Sequence, residues 1–456
     1  MSLFSIMAGD AYDQLNGKIP GPDPSIPLGN AGSYLGANPW EPTVKYLEKY
    51  GDVVLVWMVT APAILLNDPK LLSELLIEAD AHWETDHRFY KDAPRPQLLP
   101  ITTDTSCFIN NGKEWADRRE AHPFSAKEFS QWLTTQVAPI RRSVSEELAK
   151  LSQNDKAWDM RPSMERMSFD AFGEMLVGEA PGDDMYEDFQ VVSDEAQQRL
   201  VALVHLPTEM DLRFQKSKEE WFAGFSPYLT AARQSPEGND MIRRFLPTST
   251  MDDNSFRNEV ANVFPAGIYS VTSSVMAAVW QLVKHPELLA EARAAVQAMG
   301  DDWGWDELQA CEPVRWALLE AMRLYPGAPF FSRNVRTTDP VDFAGATLPA
   351  NTTIYITPVA LQRNKEHWGP DAEEFRPSRW KEAEAKNAFG SDYYFPFGRG
   401  PRECLGKAFG LAYAQVALAT CLGKWDWSID DKRLKPGYYF ACMVHDGLKA
   451  KVRPLR

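Results

Sequence analysis

One cysteine near the carboxyl end, delivered by a turn-rich loop to the start of a helix, constrains this chain more than any other feature. Residues 395–410 read Phe-Pro-Phe-Gly-Arg-Gly-Pro-Arg-Glu-Cys-Leu-Gly-Lys-Ala-Phe-Gly. The glycines and the proline before Cys404 interrupt regular structure, and an apolar, helix-forming run begins at Leu405. The positive end of a helix lowers the pKa of a nearby thiol. The resulting thiolate is a soft ligand that suits haem iron.

The same stretch contains the ten-residue signature Phe-x-x-Gly-x-Arg-x-Cys-x-Gly. Its matching positions are Phe397, Gly400, Arg402, Cys404 and Gly406. In this signature the chain resembles the cytochrome P-450 superfamily, the haem-thiolate monooxygenases. The resemblance implies haem b (iron protoporphyrin IX) as cofactor, with Cys404 as the axial iron ligand. It also implies that Phe397 shields the sulfur and that Gly400 permits a tight turn. Arg402 would pair with a haem propionate, and Gly406 would let the helix approach the ring.

The resemblance predicts a mainly α fold with a small β region, the single-domain cytochrome P-450 fold. Haem is expected between a long central helix, residues 255–284, and the cysteine-loop helix. The chain has 456 residues, of which 44% are hydrophobic, so it can build a large core. No Gly/Ser linker or repeat divides it. We therefore expect one catalytic domain over residues 1–456, with residues 1–35 as a proline-rich N-terminal arm.

Charge and cysteine content limit the partners and the compartment. The formal net charge of −15 argues against nucleic acid as a partner. The five cysteines are odd in number and form no CxxC motif, which favours a reduced compartment. The apolar run at the N-terminus is too short to span a bilayer. We expect a soluble cytoplasmic protein with no transmembrane segment in this chain.

Three further positions match family contacts to the haem propionates. Trp115 and Arg119 lie four residues apart, on one face of a predicted helix. They match the family's Trp-x-x-x-Arg, in which both side chains reach a propionate. Arg333, at the start of a predicted strand region, aligns with a contact to the second propionate. Taken alone, the Trp–Arg pair is equally compatible with an ordinary surface pair.

A third set of matches predicts a buried charge network. Glu320 and Arg323 share a helix face and match the family's Glu-x-x-Arg. Arg379 lies in Phe-Arg-Pro-Ser-Arg-Trp, which matches the family's later Phe-x-Pro-x-Arg-aromatic segment. The resemblance implies that the three side chains form one network that braces the cysteine loop. Because a buried ion group is costly unless fully paired, it should be structural and intolerant of single changes.

The long central helix departs from the family pattern at its catalytic positions. Counting back from His285-Pro286 places Gly267 beside the iron, and the usual continuation there is x-acid-Thr. Here Tyr269 replaces the acid and Ser270 replaces the threonine. Oxygen activation consumes two protons. Ser270 keeps a hydroxyl that can donate, whereas the high pKa of a tyrosine makes Tyr269 a poor carrier at neutral pH. A relay through ordered water or substrate groups is therefore expected.

Family position also assigns a substrate pocket. Its residues are Phe264, Ile268, Ala328, Phe330, Phe331 and Met443. Most are apolar or aromatic, which favours an apolar or aromatic small-molecule substrate. Each is equally compatible with the hydrophobic core.

Three functions fit these residues. The favoured one is a monooxygenase that inserts one oxygen atom from O2 into such a substrate, with electrons from a separate ferredoxin or flavoprotein. The changes at Tyr269 and Ser270 leave open a haem-thiolate peroxygenase, isomerase or dehydratase that needs no redox partner. The third is a non-catalytic haem-binding sensor. Product formation with a reductase, compared with peroxide alone, separates the first two.

Overall fold

The structure is a computed structural model that describes most of the chain. The described residues are 2–35, 38–77, 83–85, 106–107, 110–154, 156–201, 209–335, 340–350, 352–382, 389, 391–429, 434–439 and 442–455. Most of the irregular loop that the sequence predicts before residue 110 lies outside them. The chain forms two compact units, which are described separately. The first comprises residues 1–96, 328–374 and 383–404, and the second comprises residues 97–327, 375–382 and 405–456.

Helices form most of the described chain. In chain order they are α1 (Leu3–Ala8), α2 (Asp10–Leu15), α3 (Trp40–Tyr50), α4 (Pro69–Ile77), α5 (Gly112–Ala121), α6 (Phe129–Thr134), α7 (Val137–Ser152), α8 (Met160–Leu176), α9 (Asp183–Val201), α10 (Glu209–Gly224), α11 (Ser226–Gln234), α12 (Met241–Phe245), α13 (Asp253–Lys284), α14 (Pro286–Ala298), α15 (Trp305–Ala310), α16 (Glu312–Leu324), α17 (Pro358–Leu361), α18 (Lys365–Trp368) and α19 (Lys407–Gly423).

Strands are short and fewer. They are β1 (Val53–Met58), β2 (Ala61–Leu66), β3 (Trp83–Thr85), β4 (Trp158–Asp159), β5 (Phe331–Val335), β6 (Val341–Phe343), β7 (Ala346–Leu348), β8 (Thr353–Ile356), β9 (Trp425–Ile429), β10 (Pro436–Tyr439), β11 (Cys442–His445) and β12 (Lys449–Pro454). The prediction of a mainly α fold with a small β region is confirmed.

A five-stranded sheet in the order β1-β2-β8-β5-β3 organises the first unit. Its pairs are antiparallel except β2 with β8, which run parallel. Alternate residues of a strand point to opposite faces of the sheet. Leu55 and Trp57 pack into one apolar cluster, whereas Val54 and Val56 pack into another. Both faces of β1 are therefore covered, which explains its continuous apolar sequence.

The N-terminal arm is built into the first unit. It begins with the short helices α1 and α2, which precede the proline-rich stretch of residues 18–30. Phe4 meets Trp57 with ring centroids 5.5 Å apart, and Leu15 is fully buried. The extended part then follows, and the carbonyl oxygen of Pro20 accepts the Leu55 N–H at 2.8 Å. The arm thus contributes apolar side chains to the core of this unit.

The second unit is built around α13. Helices α8, α16 and α19 and strand β11 pack against it. The carboxylate of Asp252 caps its start by accepting the Ser255 N–H at 3.0 Å, and the helix ends at Lys284, as the sequence predicts. Among the described helices, α13 alone is long and apolar enough to cross a membrane, but 83% of its apolar window is buried within the protein. Its hydrophobicity is that of a core helix.

Pro265 lies inside α13 without ending it. A proline has no N–H, so the carbonyl of Ala261, four residues earlier, has no helical donor. The surrounding helices override this local preference because α13 is buried on nearly every side.

Two helix boundaries differ from the sequence prediction. The single helix expected over residues 305–325 is two helices, α15 and α16, which meet at Cys311. Pro313 lies in the first turn of α16, where a missing N–H breaks no helical bond. Helix α19 begins at Lys407, two residues later than Leu405, because the backbone turns at Leu405 and Gly406.

The buried histidine on β11 predicts a loss of stability in acid. His445 is fully buried, its Nε2 lies 3.1 Å from Ser273 Oγ, and burial lowers its pKa to about 3. Between pH 6.5 and 3 the unfolded chain binds this proton and the folded chain does not, so stability is complete above pH 6.5 and falls with pH. We expect His445 to account for a loss of about 2 kcal/mol in unfolding free energy between pH 7 and 5.

Urea unfolding of wild type and His445→Gln at both pH values measures this effect. The variant should show a shallower dependence on pH. An identical slope in the two proteins would contradict the assignment.

Candidate active site

The cysteine loop belongs to the first unit and is closed by its own backbone. The Cys404 N–H donates to the Phe397 carbonyl at 2.8 Å, and the Glu403 N–H donates to the Gly400 carbonyl at 2.9 Å. The loop is thus a pair of tight turns that ends at the cysteine. The Arg399 guanidinium pairs with Asp392 and donates to the Ser391 carbonyl, which ties the loop to the preceding segment.

Gly400 is required by the path of this loop. Its φ is +75°, a conformation that disfavours every residue with a side chain. A Cβ at this position would lie 1.9 Å from the carbonyl oxygen of Leu76, at the end of α4. The signature glycine therefore allows the cysteine loop to pass against α4.

Cys404 is an exposed thiol at the end of the loop and forms no disulfide. In the second unit, Gly406, Lys407 and Ala408 of the adjoining helix start are partly or fully exposed, whereas α19 is buried from Ala412 to Leu422. An exposed sulfur at the end of a turn-rich loop is open to a bound metal group. The sulfur donor and the loop therefore suit a thiolate-ligated haem.

The central part of α13 is buried except for one small exposed area. From Asn258 to Leu282 every residue is buried except Ala266, Gly267 and Ser270. These three residues recur at helical spacing and share one face. We call them the α13 patch. Two of them, Gly267 and Ser270, are catalytic positions predicted from the sequence.

Ser270 and Gly267 each occupy a constrained position in the patch. The Ser270 hydroxyl donates to the Gly267 carbonyl at 3.0 Å, with a longer contact to the Ala266 carbonyl at 3.4 Å. A Cβ on Gly267 would lie 2.6 Å from the ring of Phe172 on α8. Gly267 thus allows α8 and α13 to approach closely while the patch stays open.

Tyr269 is directed into the interior, not into the patch. Its ring is 3% exposed and stacks on Phe189, with centroids 5.7 Å apart. It also meets Tyr439 edge-on at 4.9 Å. Burial raises the pKa of Tyr269 far above its ordinary value, with a smaller contribution from Tyr439. The family's acid position is therefore occupied here by a neutral packing residue.

The predicted pocket residues of the second unit are fully buried. Phe264 packs among Phe169, Trp221 and Phe225, with ring centroids 5.3 to 5.5 Å apart. Ile268 and Met443 are likewise buried, and the Met443 N–H donates to the Gly327 carbonyl at 2.9 Å. Phe264 and Ile268 lie away from the face that carries the α13 patch.

The predicted pocket residues of the first unit are more open. Ala328, Phe330 and Phe331 are each half-buried. Phe330 stacks on Tyr355 with centroids 4.8 Å apart. Arg333, predicted to contact a propionate, lies over the Phe331 ring at 5.6 Å, and its Nη1 donates to the Ser332 carbonyl at 2.9 Å.

Trp115 and Arg119 come together on α5. The Arg119 guanidinium lies 5.8 Å from the centroid of the Trp115 ring. Trp115 is buried and Arg119 is half-exposed. An indole N–H and a guanidinium side by side can bind a carboxylate such as a propionate. The helix ends at Ala121, and a short turn at Pro123–Ser125 follows.

Glu320 is the acceptor at the centre of the predicted network. Arg323 donates through Nε to Oε2 at 3.0 Å and through Nη2 to Oε1 at 2.8 Å. Arg379 Nε donates to Oε1 at 2.9 Å. The Arg376 N–H and the Trp380 indole complete the set at 3.0 and 3.1 Å. The Glu320 and Arg323 side chains are fully buried, and that of Arg379 is 3% exposed.

Comparison with known proteins identifies the family of this chain. A family model described as cytochrome P-450 matches residues 19–444. The chain belongs to the cytochrome P-450 family. Membership implies haem iron, dioxygen, a substrate and a redox partner. It makes the protein an oxidoreductase of the haem-thiolate monooxygenase type, and the residues around Cys404 fit that cofactor.

The curated relatives are distant. The chain is 26% identical over 438 residues to echinocystic acid 23-monooxygenase of Saponaria officinalis, covering 87% of this chain and 79% of that protein. It is 25% identical over 421 residues to 11-oxo-beta-amyrin 30-oxidase of Medicago truncatula, covering 85% and 78%. Pentalenene oxygenase of Streptomyces avermitilis is 29% identical over 244 residues, covering 52% and 54%.

Sequence reasoning missed polar residues near the start of α13. Glu259 and Asn262 are almost fully buried. A carboxylate and an amide inside an apolar, core-forming helix were the available signal, because such groups are seldom buried without a function or a partner.

Removing the central acceptor of the network should destabilise the second unit. Glu320→Gln leaves two buried arginines short of their counter-charge, and we expect a loss of about 3–5 kcal/mol in unfolding free energy. As a control, Asp117→Asn removes the exposed Lys113–Asp117 pair, whose side chains are 86% and 59% exposed. That change should cost less than about 1 kcal/mol. Urea unfolding measures both, and similar losses would contradict the structural assignment.

Gly400→Ala should prevent the loop from forming. It combines an unfavourable φ, which costs about 1–3 kcal/mol, with overlap on the Leu76 carbonyl. We expect a large loss of bound haem, measured by absorbance per protein. Gly345→Ala is the matched control, because its φ is +79° but a Cβ there meets no atom within 4 Å. Equal haem content in the two variants would show that the Leu76 contact is unimportant.

Proposed function

We propose that this protein is a monooxygenase that inserts one oxygen atom from O2 into an apolar or aromatic small molecule. Haem b is the proposed cofactor, and a separate ferredoxin or flavoprotein is the proposed electron donor. The observation that carries the proposal is the α13 patch, a small open area with one hydroxyl on a helix that is otherwise enclosed. Such an area admits dioxygen and substrate beside a proton donor.

Cys404 would hold the haem iron, and Trp115, Arg119, Arg333 and Arg402 would bind the propionates. When bound, the thiolate-ligated haem supplies the chemistry that cleaves dioxygen. The cationic and N–H donors fit the propionate carboxylates, because charge-assisted hydrogen bonds to carboxylates are strong. This chain's part is to place those donors and to keep the sulfur accessible.

Ser270 is the proposed proton donor of the patch. Its hydroxyl already donates to backbone carbonyls of α13, and a serine rotates easily to a second acceptor. Gly267 keeps the neighbouring space free of a side chain. Tyr269 is not part of this relay, because its ring lies in the aromatic interior.

Apolar side chains support the proposed substrate class. Phe330 and Phe331 present half-buried aromatic surface in the first unit. Val263, one turn before Ala266 on the same face of α13, is 7% exposed and extends the patch with an apolar group. We infer an apolar or aromatic substrate from these side chains.

We also propose a reduced, cytoplasmic setting and one catalytic domain over residues 1–456. The five cysteines, all within the described residues, form no disulfide, which suits a reducing compartment. The cysteine ligand and the helix that follows it are consecutive in the chain although they belong to different compact units.

A second function is supported by one observation. Tyr269 leaves the patch without the family's acid, and haem-thiolate enzymes that use or rearrange peroxides need no such acid. A peroxygenase, isomerase or dehydratase is therefore the alternative. Product formed with dioxygen and a reductase system, but little with peroxide alone, supports the monooxygenase. The reverse result supports the alternative.

Two substitutions test the site itself. Cys404→Ser should abolish the carbon monoxide difference spectrum typical of thiolate-ligated haem, since an alcohol is a poor ligand for iron. Ser270→Ala should leave that spectrum intact but raise the electrons consumed per product, because a proton donor is lost. A persisting spectrum in the first variant, or unaltered coupling in the second, would refute the corresponding assignment.

A further inference from the structure

Glu259 is a buried carboxyl group within α13, the helix of the proposed oxygen site. It is 1% exposed. Its Oε1 accepts the backbone N–H of Cys107 at 2.8 Å, and its Oε2 lies 4.0 Å from Nε2 of His122. Oε2 has no hydrogen-bond partner within the described part of the chain. A buried carboxyl oxygen with no bonded donor is costly unless it carries a proton or meets water.

His122 faces Glu259 as a neutral imidazole. Its Nδ1 accepts the Phe124 N–H at 3.1 Å, so the ring hydrogen lies on Nε2, the atom nearest Glu259. Burial, with Arg119 nearby, lowers the pKa of His122 to about 3. The imidazole therefore stays uncharged at neutral pH and cannot form a permanent ion pair with the carboxyl.

Opposing influences leave Glu259 able to gain and lose a proton near neutrality. Burial raises its pKa to about 7, and the contacts with Cys107 together with the charge of Arg118 reduce the rise. The thiol of Cys107 is kept protonated by burial and by Glu259 itself. Cys107, His122 and Arg118 are the titratable groups that face this carboxyl among the described residues.

Asn262 continues the polar line one turn along the helix. Its side chain is 2% exposed, and neither Oδ1 nor Nδ2 has a hydrogen-bond partner among the residues that the structure describes. An amide buried in this way is ordinarily satisfied by bound water, which hydrogen-bonds to several polar groups at once. Asn262 can therefore hold water against α13.

The polar groups share one side of α13. Glu259, Asn262, Ala266 and Ser270 follow at spacings of three and four residues, which places them along one stripe of the helix. At 1.5 Å per residue, Glu259 lies about 16 Å from Ser270 along the axis. A short chain of water molecules that passes Asn262, about one turn from Glu259, spans such a distance.

We propose that Glu259 is the proton source for oxygen activation, and that it delivers protons through water held by Asn262 to Ser270. The inference rests on the proposed function. The monooxygenase reaction combines R–H, O2, two electrons and two protons to give R–OH and H2O. The electrons come from the redox partner. The Glu259 carboxyl gives up the two protons one after the other, and solvent reprotonates the carboxylate after each transfer. Until then the Cys107 N–H stabilises the carboxylate.

Glu259→Gln is the decisive variant. Glutamine keeps an oxygen that accepts the Cys107 N–H and has almost the same volume, but it cannot release a proton. We expect at least about a tenfold fall in product per electron pair with dioxygen and the electron donor. The dependence of turnover on pH near 7 should also disappear. A purely structural glutamate would leave both unchanged.

Infrared difference spectroscopy of the resting protein gives a readout independent of turnover. The carbonyl band of a buried, protonated carboxyl should vanish as pH rises through about 7 in wild type. It should be missing from Glu259→Gln at every pH. Asn262→Leu should retain the band, because Glu259 is still present. It should lower the product formed per electron pair, because it removes the group that holds water between Glu259 and Ser270. A wild-type band that the Glu259 substitution does not remove would overturn the proposal.

Glu165→Gln is the matched control. Glu165 on α8 is also buried, and burial raises its pKa. Unlike Glu259, it pairs with Arg161, whose Nε lies 2.7 Å from its Oε1, and it is not on the α13 stripe. Its substitution should leave coupling at the wild-type value. If wild type forms no product with dioxygen and a donor, the proposed function fails. If wild type forms product and Glu259→Gln forms as much product per electron pair, this inference alone fails.

Discussion

A single buried carboxylate holds together the part of the second unit that precedes the cysteine loop. Glu320 accepts five hydrogen bonds on two oxygens, from Arg323, Arg379, the Arg376 backbone and Trp380. Residues 375–382 belong to the second unit although the chain on either side of them belongs to the first. The carboxylate explains this excursion, because a buried charge is tolerated only where enough donors converge on it. The cysteine loop begins soon after this fixed point.

The other organising constraint is the burial of α13. A helix enclosed on almost every side can present chemistry only where small residues leave a gap. Ala266, Gly267 and Ser270 provide that gap. Gly267 also permits Phe172 to approach, so the same absence of a side chain serves both packing and access. Tyr269, which stands at the family's acid position, adds to the aromatic packing of the interior.

Buried polar groups in the second unit differ in how fully they are hydrogen-bonded. Glu320 is fully satisfied and behaves as a structural charge. Glu259 and Asn262 keep unpartnered atoms among the described residues, which costs stability and therefore calls for a functional explanation. His122 and His445 stay neutral because burial lowers their pKa. We therefore assign a structural role to Glu320, whose oxygens are fully hydrogen-bonded, and propose proton transfer for Glu259 and Asn262, which keep atoms without a partner among the described residues.

The sequence by itself determined the family and the main elements, and it predicts the cysteine ligand, because these depend on local patterns. The turn before Cys404, the spacing of Glu320 and Arg323, and the apolar length of α13 are visible within short windows. Tertiary structure alone decided which way Tyr269 points, that Phe264 lies in an aromatic cluster, and that Glu259 meets Cys107 and His122. These contacts join residues more than a hundred positions apart, or depend on which helix face is covered, and helical periodicity does not specify the covering element.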